Sequence, residues 1–344
     1  MALADGTVSV LDKGGVVFTR IWCGYEVYVS LVAAKPGYKW GVYTLCEDGD
    51  GAVGLTDGFA PADGDWPPSK QQREAKFPFA LAQRALAIEL QSAQASVASD
   101  KTHILNAMIG ETDDFNAPLP ERHERYDLLN ETLRARFAAG SLRAALERDE
   151  AAPFFDALAK GRMHELSLDF KGCARFAGGA VDRLGECLPA TLQKLTVRSD
   201  AGDHLARALA PWLRVNSVLT DLNLEENKIG VEGGKAIAEA LHVNGVLTSL
   251  NLRFNQLGDE GAEAIGDALK VNSVLTSIDV GYTMLNEEAA LGIVRAARQQ
   301  DKMKTLGLAG CGIGASGAQE IAEYVRVSSV LTSLDLRVNY LGDG

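Results

Sequence analysis

The 344-residue chain is poor in cysteine and in aromatic residues and has no long apolar run. Its five cysteines (Cys23, Cys46, Cys173, Cys187 and Cys311) are widely spaced and never fall as C-x-x-C. That excludes a zinc ribbon and a disulfide framework, and no metal or cofactor is expected. No stretch reaches the roughly 18 uninterrupted apolar residues of a membrane-spanning helix, so no membrane association is expected. The start, Met1 to Gly6, lacks a basic patch followed by an apolar block, so no secretory leader is expected. Together with an odd set of thiols, this predicts a cytoplasmic protein. A basic excess is also missing. The net charge is −12, a field that repels a polyanion, so nucleic acid is not an expected partner. Asn130-Glu131-Thr132 has the form of a glycosylation acceptor, expected to be a chance match if the chain is not secreted.

What the chain does have is a beat. Leu222, Leu250, Ile278, Leu306 and Leu334 recur every 28 residues inside the pattern L-x-x-L-x-L-x-x-N/C-x-L. One copy reads Leu247, Leu250, Leu252, Asn255, Leu257; the next reads Leu275, Ile278, Val280, Thr283, Leu285. Weaker copies precede them at Leu192, Leu195, Val197 and at Met163, Leu166, Leu168. In L-x-L both apolar side chains leave a strand on the same side. The Asn, Thr or Cys follows where the chain leaves the strand, and can satisfy backbone groups of the turn. A second apolar set then recurs at helical spacing, such as Ala236, Ile237, Ala240, Leu241, and one copy later Ile265, Ala268, Leu269. Each unit is therefore strand, turn, helix, and buries its apolar edges only by stacking on its neighbours.

This pattern resembles the ribonuclease-inhibitor-like class of leucine-rich repeats, over about half of the chain. The resemblance implies an α/β solenoid with a parallel sheet on the concave face and a protein as partner. The partner-facing side chains are the strand positions that point away from the leucines. Candidate binding residues are Asp221, Asn223, Glu225, Ser249, Asn251, Arg253, Ser277, Asp279, Ser333, Asp335 and Arg337. They are small or polar, of mixed charge, and none is aromatic. Gly312 to Gly317 matches G-x-G-x-x-G, but in repeat register it aligns with Gln256 to Gly261, an ordinary strand-to-helix turn, so no nucleotide is expected there.

The N-terminal half reads differently. Thr7 to Leu11 predicts a buried strand, Thr19 to Ala33 a helix and Trp40 to Leu45 a second strand, a piece of a parallel sheet. Within the helix, Arg20-Ile21-Trp22-Cys23-Gly24-Tyr25-Glu26-Val27 resembles the S-x-W-C-x-x-E-L segment of Toll/interleukin-receptor (TIR) domains. In members that cleave NAD, that segment carries the catalytic glutamate, which by position corresponds to Glu26. Arg20 and Val27 depart from the motif, and only six residues precede the first strand. Glu26 is then either a solvated helix glutamate or a relic of that chemistry. Glu47 to Gly54 is an acidic glycine-rich loop without the calcium-loop pattern, since Val53 and Phe59 stand where Gly and Glu are required. Pro61 to Pro68 extends it as a linker.

Further on, Phe79 to Val97, Lys101 to Met108 and Tyr126 to Arg148 predict helices, the last broken at Gly140. Their stripes (Ala82, Leu86, Leu90, Ala93, Val97; Leu129, Leu133, Phe137) are core. Asp100 to Ala107 resembles a segment that links TIR-like pieces to leucine-rich repeats in protist protein families; no chemistry attaches to it. His103 has no ligand partner at metal-binding spacing.

Three segments follow: 1–60, a partial α/β piece with its acidic loop; 61–160, a helical linker or cap; and 161–344, about six and a half repeats. The last copy stops at Leu341-Gly342-Asp343-Gly344 before its helix, so a fragment of a longer protein is expected. The functional expectation is a non-enzymatic binding scaffold or sensor; the alternative is a TIR-like NAD hydrolase governed by its repeats.

Overall fold

The computed structural model describes residues 6–12, 23, 26, 29–30, 39–45, 52–55, 73–74, 76–95, 97–111 and 114–342. The chain falls into two compact units, Met1–Met163 and His164–Gly344.

In the first unit, β1 (Gly6–Leu11) and β2 (Lys39–Leu45) run parallel, with Thr7 opposite Trp40 and Leu11 opposite Thr44. The expected strand pair is therefore present, but the first strand is not buried as expected, since Val8 and Val10 are exposed. Thr44 donates its buried hydroxyl to the Leu11 carbonyl at 2.9 Å. One correction concerns the acidic loop, of which Ala52–Gly54 form a third strand, β3, antiparallel to β2. The Tyr43 ring lies over Gly54, where a Cβ would sit 2.9 Å from it, so a strand position reads as loop glycine in sequence. Most of the expected helix at 19–33, the rest of the acidic loop and the linker at 61–68 lie outside the described residues.

Among the described residues, the α-helices of this unit with defined bounds are α1 (Phe79–Ala85), α2 (Ala98–Ile109), α3 (Glu124–Glu147) and α4 (Ala152–Lys160). Two helix expectations need correction. The helix expected over 79–97 stops at Ala85, because α3 reaches in and takes the backbone beyond it. Arg134 donates to the Ile88 carbonyl from Nε at 3.0 Å and Nη2 at 2.6 Å, and Asn130 Oδ1 accepts the Leu90 amide at 2.9 Å. Tertiary hydrogen bonds here override a helical composition. The same contacts bury Asn130, the apparent glycosylation acceptor. Nor does α3 break at Gly140. That glycine is where Leu55 packs against the helix, and a Cβ would meet its side chain at 2.8 Å. Trp40 adds an edge-on contact to Phe137, so the small sheet leans on α3. The helix α4, entered through Pro153 in its first turn, has no counterpart among the sequence expectations.

The second unit is the solenoid. Strands β4 (Glu165–Asp169), β5 (Lys194–Arg198), β6 (Asp221–Asn223), β7 (Ser249–Asn251), β8 (Ser277–Asp279), β9 (Thr305–Gly307) and β10 (Ser333–Asp335) form one seven-stranded parallel sheet in chain order. Between them lie α5 (Gly179–Cys187), α6 (Asp203–Val215), α7 (Val231–Val243), α8 (Gly258–Val271), α9 (Glu287–Gln300) and α10 (Ala315–Val327), each packed on the next. The register lines up Leu166, Leu195, Leu222, Leu250, Ile278, Leu306 and Leu334 across the sheet. All but Leu334 are buried. The helical apolar set is buried as expected, except that Ala236 is half-exposed and Ala238 takes its place. A helix is about 10 Å across while strands stack about 4.8 Å apart, so the coils fan out on the helix side and curve the sheet inward.

Two polar ladders hold the coils in step. In the first, Asn255 Oδ1 accepts the amides of Asn227 and Ile229 in the previous coil, while its Nδ2 donates to Leu224 and Leu252 carbonyls. Asn227 and Asn339 repeat this role. The second is Asn216, Asn244 and Asn272, at the helix-to-strand turns. Asn244 Oδ1 accepts the Val246 and Leu247 amides, and its Nδ2 reaches back to the Leu213 carbonyl at 2.7 Å. A buried amide that satisfies four or five backbone groups is expensive to remove, since each orphaned group costs about 1–3 kcal/mol.

Candidate functional site

The leucine-bearing face of the sheet is closed by helices; the other face is open. Of the candidate residues, Ser333 and Arg337 are exposed and the other nine are half-buried along this open face. The structure brings them together in columns but gives them unequal freedom. In four coils the middle position turns its carboxylate or amide oxygen onto the backbone amide two residues ahead: Asn223 to Glu225, Asn251 to Arg253, Asp279 to Gly281 and Asp335 to Arg337. Asp169 does the same to Lys171 from the last open-face position of its coil. These side chains end the strand as much as they face a partner.

Charge is arranged along the sheet. The open-face positions carry six carboxylates (Glu165, Asp169, Asp221, Glu225, Asp279, Asp335) and four cations (Lys194, Arg198, Arg253, Arg337). At β10, Arg337 grips Asp335 with Nε at 2.8 Å and Nη2 at 2.7 Å, and Arg253 approaches the same carboxylate at 3.7 Å. The Arg337 hydrogen bonds draw the Asp335 carboxyl down to about 2, with Arg253 adding to them. At the other end, Lys228 and Lys171 flank Asp200, whose carboxyl also falls to about 2, the Lys228 hydrogen bond being the largest cause. Between them, β6 is acidic: Asp221, Glu225 and Glu226 lie within one coil, with Arg198 paired to Glu226.

The open face also carries rings that the alternation of the strands does not reveal. Phe254 and Tyr282 follow directly after the last open-face position of their coils and before the ladder residue. Their rings stack with centroids 4.7 Å apart and 14° between planes, and the Arg253 guanidinium lies 4.8 Å and 5.0 Å from the two centroids. The equivalent residues of the flanking coils are Glu226, Gly310 and Val338, and all five have positive φ, between 55° and 63°. Hydrogen bonds to the next coil impose this. The amides of Glu226, Phe254, Tyr282 and Gly310 donate to Arg253, Gly281, Ala309 and Arg337 carbonyls. The sequence signal was an aromatic at a turn position repeated after 28 residues. It was hidden because an αL turn points its side chain where a strand would not.

The β9 coil is nearly bare. A Cβ on Gly307 would fall 2.3 Å from the Asp279 carboxyl group, and one on Gly310 would fall 2.6 Å from the Tyr282 ring, so both neighbours lean over it. Gly312 has no side chain above it.

Two sequence candidates resolve differently. In the G-x-G-x-x-G turn, the Gly314 and Gly317 amides donate to Glu287 Oε1 at 3.2 and 2.7 Å, and Ser316 does so at 3.1 Å. A carboxylate of the previous coil thus already sits where a phosphate would. Asp203 does the same for Gly230 and Gly233. Glu26 is an exposed helical residue whose carbonyl accepts the Ser30 hydroxyl at 2.7 Å; Arg20, Val27 and most of its neighbours lie outside the described residues. Cys311 is buried, which pushes its thiol up to about 12, away from nucleophilic use. Among the described residues no group of His, Cys, Asp and Glu is placed to hold a metal ion, and no helix is long and apolar enough to cross a membrane.

The leucine-rich-repeat family model matches residues 215–238, 243–266 and 301–322. Among solved structures, leiomodin-1 actin-binding site 2 is similar at 21% identity, covering 43% of this chain and 86% of its own, with a TM-score of 0.36. The tropomodulin C-terminal domain from Caenorhabditis elegans is similar at 11% identity, covering 55% of this chain and 91% of its own, with a TM-score of 0.35. No curated protein matches the chain, and the family match lies wholly in the second unit. With one strand, one buried polar turn and one α-helix in each 28-residue coil, the second unit is a leucine-rich-repeat domain of the ribonuclease-inhibitor-like class.

Proposed function

We propose that this protein is a non-catalytic binding scaffold whose repeat domain docks a protein partner on the open face of its sheet. One observation carries the reading. Seven strands hold their outward side chains in common register, so a broad polar surface is displayed on a backbone that both ladders keep rigid. Such a surface offers many weak, spatially fixed contacts, which suits recognition of another folded or extended chain. Asp221 and Glu225 are the residues freest to contribute, because neither carboxylate supports a turn as the middle-position acids do.

The test is a charge reversal at both positions, Asp221→Lys with Glu225→Lys, in cells expressing the chain fused to a proximity-labelling enzyme. The labelled set is expected to lose members relative to the unaltered chain, at unchanged expression and melting temperature. An identical set from both chains refutes docking on this face.

A further inference from the structure

The geometry points to a partner that presents apolar anchors flanked by basic residues, seated across β6 to β10 with the anchors on an aromatic ledge at the ends of the strands. This rests on the docking face proposed above and names the chemistry of what docks there.

The ledge is built from two rows. Phe254 and Tyr282 stack in the first row, and Val338 continues it beyond Gly310. Met284 and Tyr340 lie in the second row, on either side of the Gly312 coil, with no side chain above that glycine. Relative exposures are 71% for Met284, 70% for Val338 and 79% for Tyr340. Other exposed apolar side chains of these coils, Val271, Val325 and Val327, lie at the ends of helices, whereas those of the ledge are collected at one end of the sheet.

Four of these residues share a backbone conformation that Glu226 and Lys228 adopt at the same positions of the β6 coil. Phe254, Tyr282, Met284 and Val338 all have φ between 55° and 62°. Bulky and β-branched residues rarely occupy this region, where Gly or Asn would fit without strain. Gly310 and Gly312 in the intervening coil show that the turn itself accepts glycine. Large apolar side chains at these sites therefore work against the stability of the free chain, as expected of residues kept for contact with something else. Arg253, spread between the rings and both Asp279 and Asp335, fixes the platform and cancels its charge.

Charge decides what accompanies the anchors. The ledge is electrically balanced, whereas the β6 coil two strands away from Tyr282 carries Asp221, Glu225 and Glu226. Among the described residues Asp221 and Glu225 form no direct salt bridge, although Lys194 stands opposite Asp221 and Arg198 lies near enough to attract Glu225. Two strand spacings are about 10 Å. A basic residue a few positions from an apolar anchor can reach these acids while the anchor covers the rings. The chain's overall charge of −12 draws the same kind of partner at long range.

The probe is a phage-displayed library of short random peptides, selected on the full chain. Enriched peptides are expected to combine Trp, Phe or Leu with a net positive charge, and to bind more weakly as salt rises. Met284→Ser with Tyr340→Ser should weaken a selected peptide by about tenfold or more. Both side chains are largely in solvent, so the melting temperature should stay in place. Val338→Asn should weaken binding while holding or raising the melting temperature, an outcome that a merely structural Val338 does not allow. Loss of binding in Asp221→Lys with Glu225→Lys but not in the ledge variants would overturn the ledge and leave the open face standing. Peptides that are acidic, that lack apolar anchors, or that ignore all of these variants would overturn the inference, and the last of these would overturn the docking face as well.

Discussion

Asp335 shows how a single side chain on the open face can serve both fold and surface. Its carboxylate caps the Arg337 amide, receives the Arg337 guanidinium on both oxygens and lies near Arg253 from three strands away. The Arg337 hydrogen bonds hold its carboxyl at about 2, below the roughly 3.9 of an unfolded chain. A depressed folded value means that the stabilisation is fully present above the unfolded value and is lost as pH falls from there through the folded one. The melting temperature should therefore drop between about pH 4 and pH 2 in the unaltered chain. In Asp335→Asn it should start lower at neutral pH and fall less over that window, so the two curves converge. Parallel curves would show that Asp335 contributes no linked stability. Asp200, held at about 2 by Lys228, acts with the same sign, and partial exposure of both carboxylates keeps each contribution modest.

At the scale of the coil, the ladder position shows a sequence departing from its own rule. Asn227, Asn255 and Asn339 bond backbone groups on both sides, whereas the Cys311 thiol makes weak 3.7 Å contacts to the Val280 and Ala309 carbonyls. An asparagine at 311 would present its oxygen to the Thr283 and Leu285 amides, as Asn255 does to those of Asn227 and Ile229. Its amide would reach the Val280 carbonyl. Cys311→Asn is thus expected to raise stability by about 1 kcal/mol, read as a shift in the urea midpoint at constant slope. A loss would mean that the coil has closed around sulfur. The ladder was legible in the sequence because spacing alone fixes it: an L-x-L pair and a short polar residue three positions on can do little else. The second ladder, at Asn216, Asn244 and Asn272, was equally regular but went unread, since its meaning depends on carbonyls of the preceding coil. The end of α1 at Ala85 was illegible for a similar reason. Nothing near Ile88 announces that Arg134, 46 residues away, will claim its carbonyl. On the open face, alternation found the polar columns and missed Phe254 and Tyr282, because an αL residue breaks the two-residue period that makes a strand readable.

Across the whole repeat domain, each coil is supported only by its neighbours, so stability should vary with position along the stack. Leu250, Ile278 and Leu306 are at most 1% exposed, because a coil lies on either side of each. Leu334 and Leu336 hold the equivalent places in the β10 coil and are half-buried. Among the described residues their backbone is bonded to the β9 coil, through bonds such as the Leu308 amide to the Asp335 carbonyl. Native-state hydrogen exchange of a chain of these 344 residues should therefore show a gradient. Amides of β6 to β8 should open only with global unfolding, and those of β9, donated to β10 carbonyls, should open at lower free energy. Binding should reshape that gradient. A peptide anchored on Val338 and Tyr340 ties the β10 coil to the Phe254 and Tyr282 coils, and so protects the amides of Leu308 and Gly310 more than those of Leu224 and Leu252. A ligand confined to β6 would slow exchange there and leave β9 unchanged. The pattern of protection therefore separates an anchor on the ledge from a contact with the acidic coil alone, without requiring that any residue be altered.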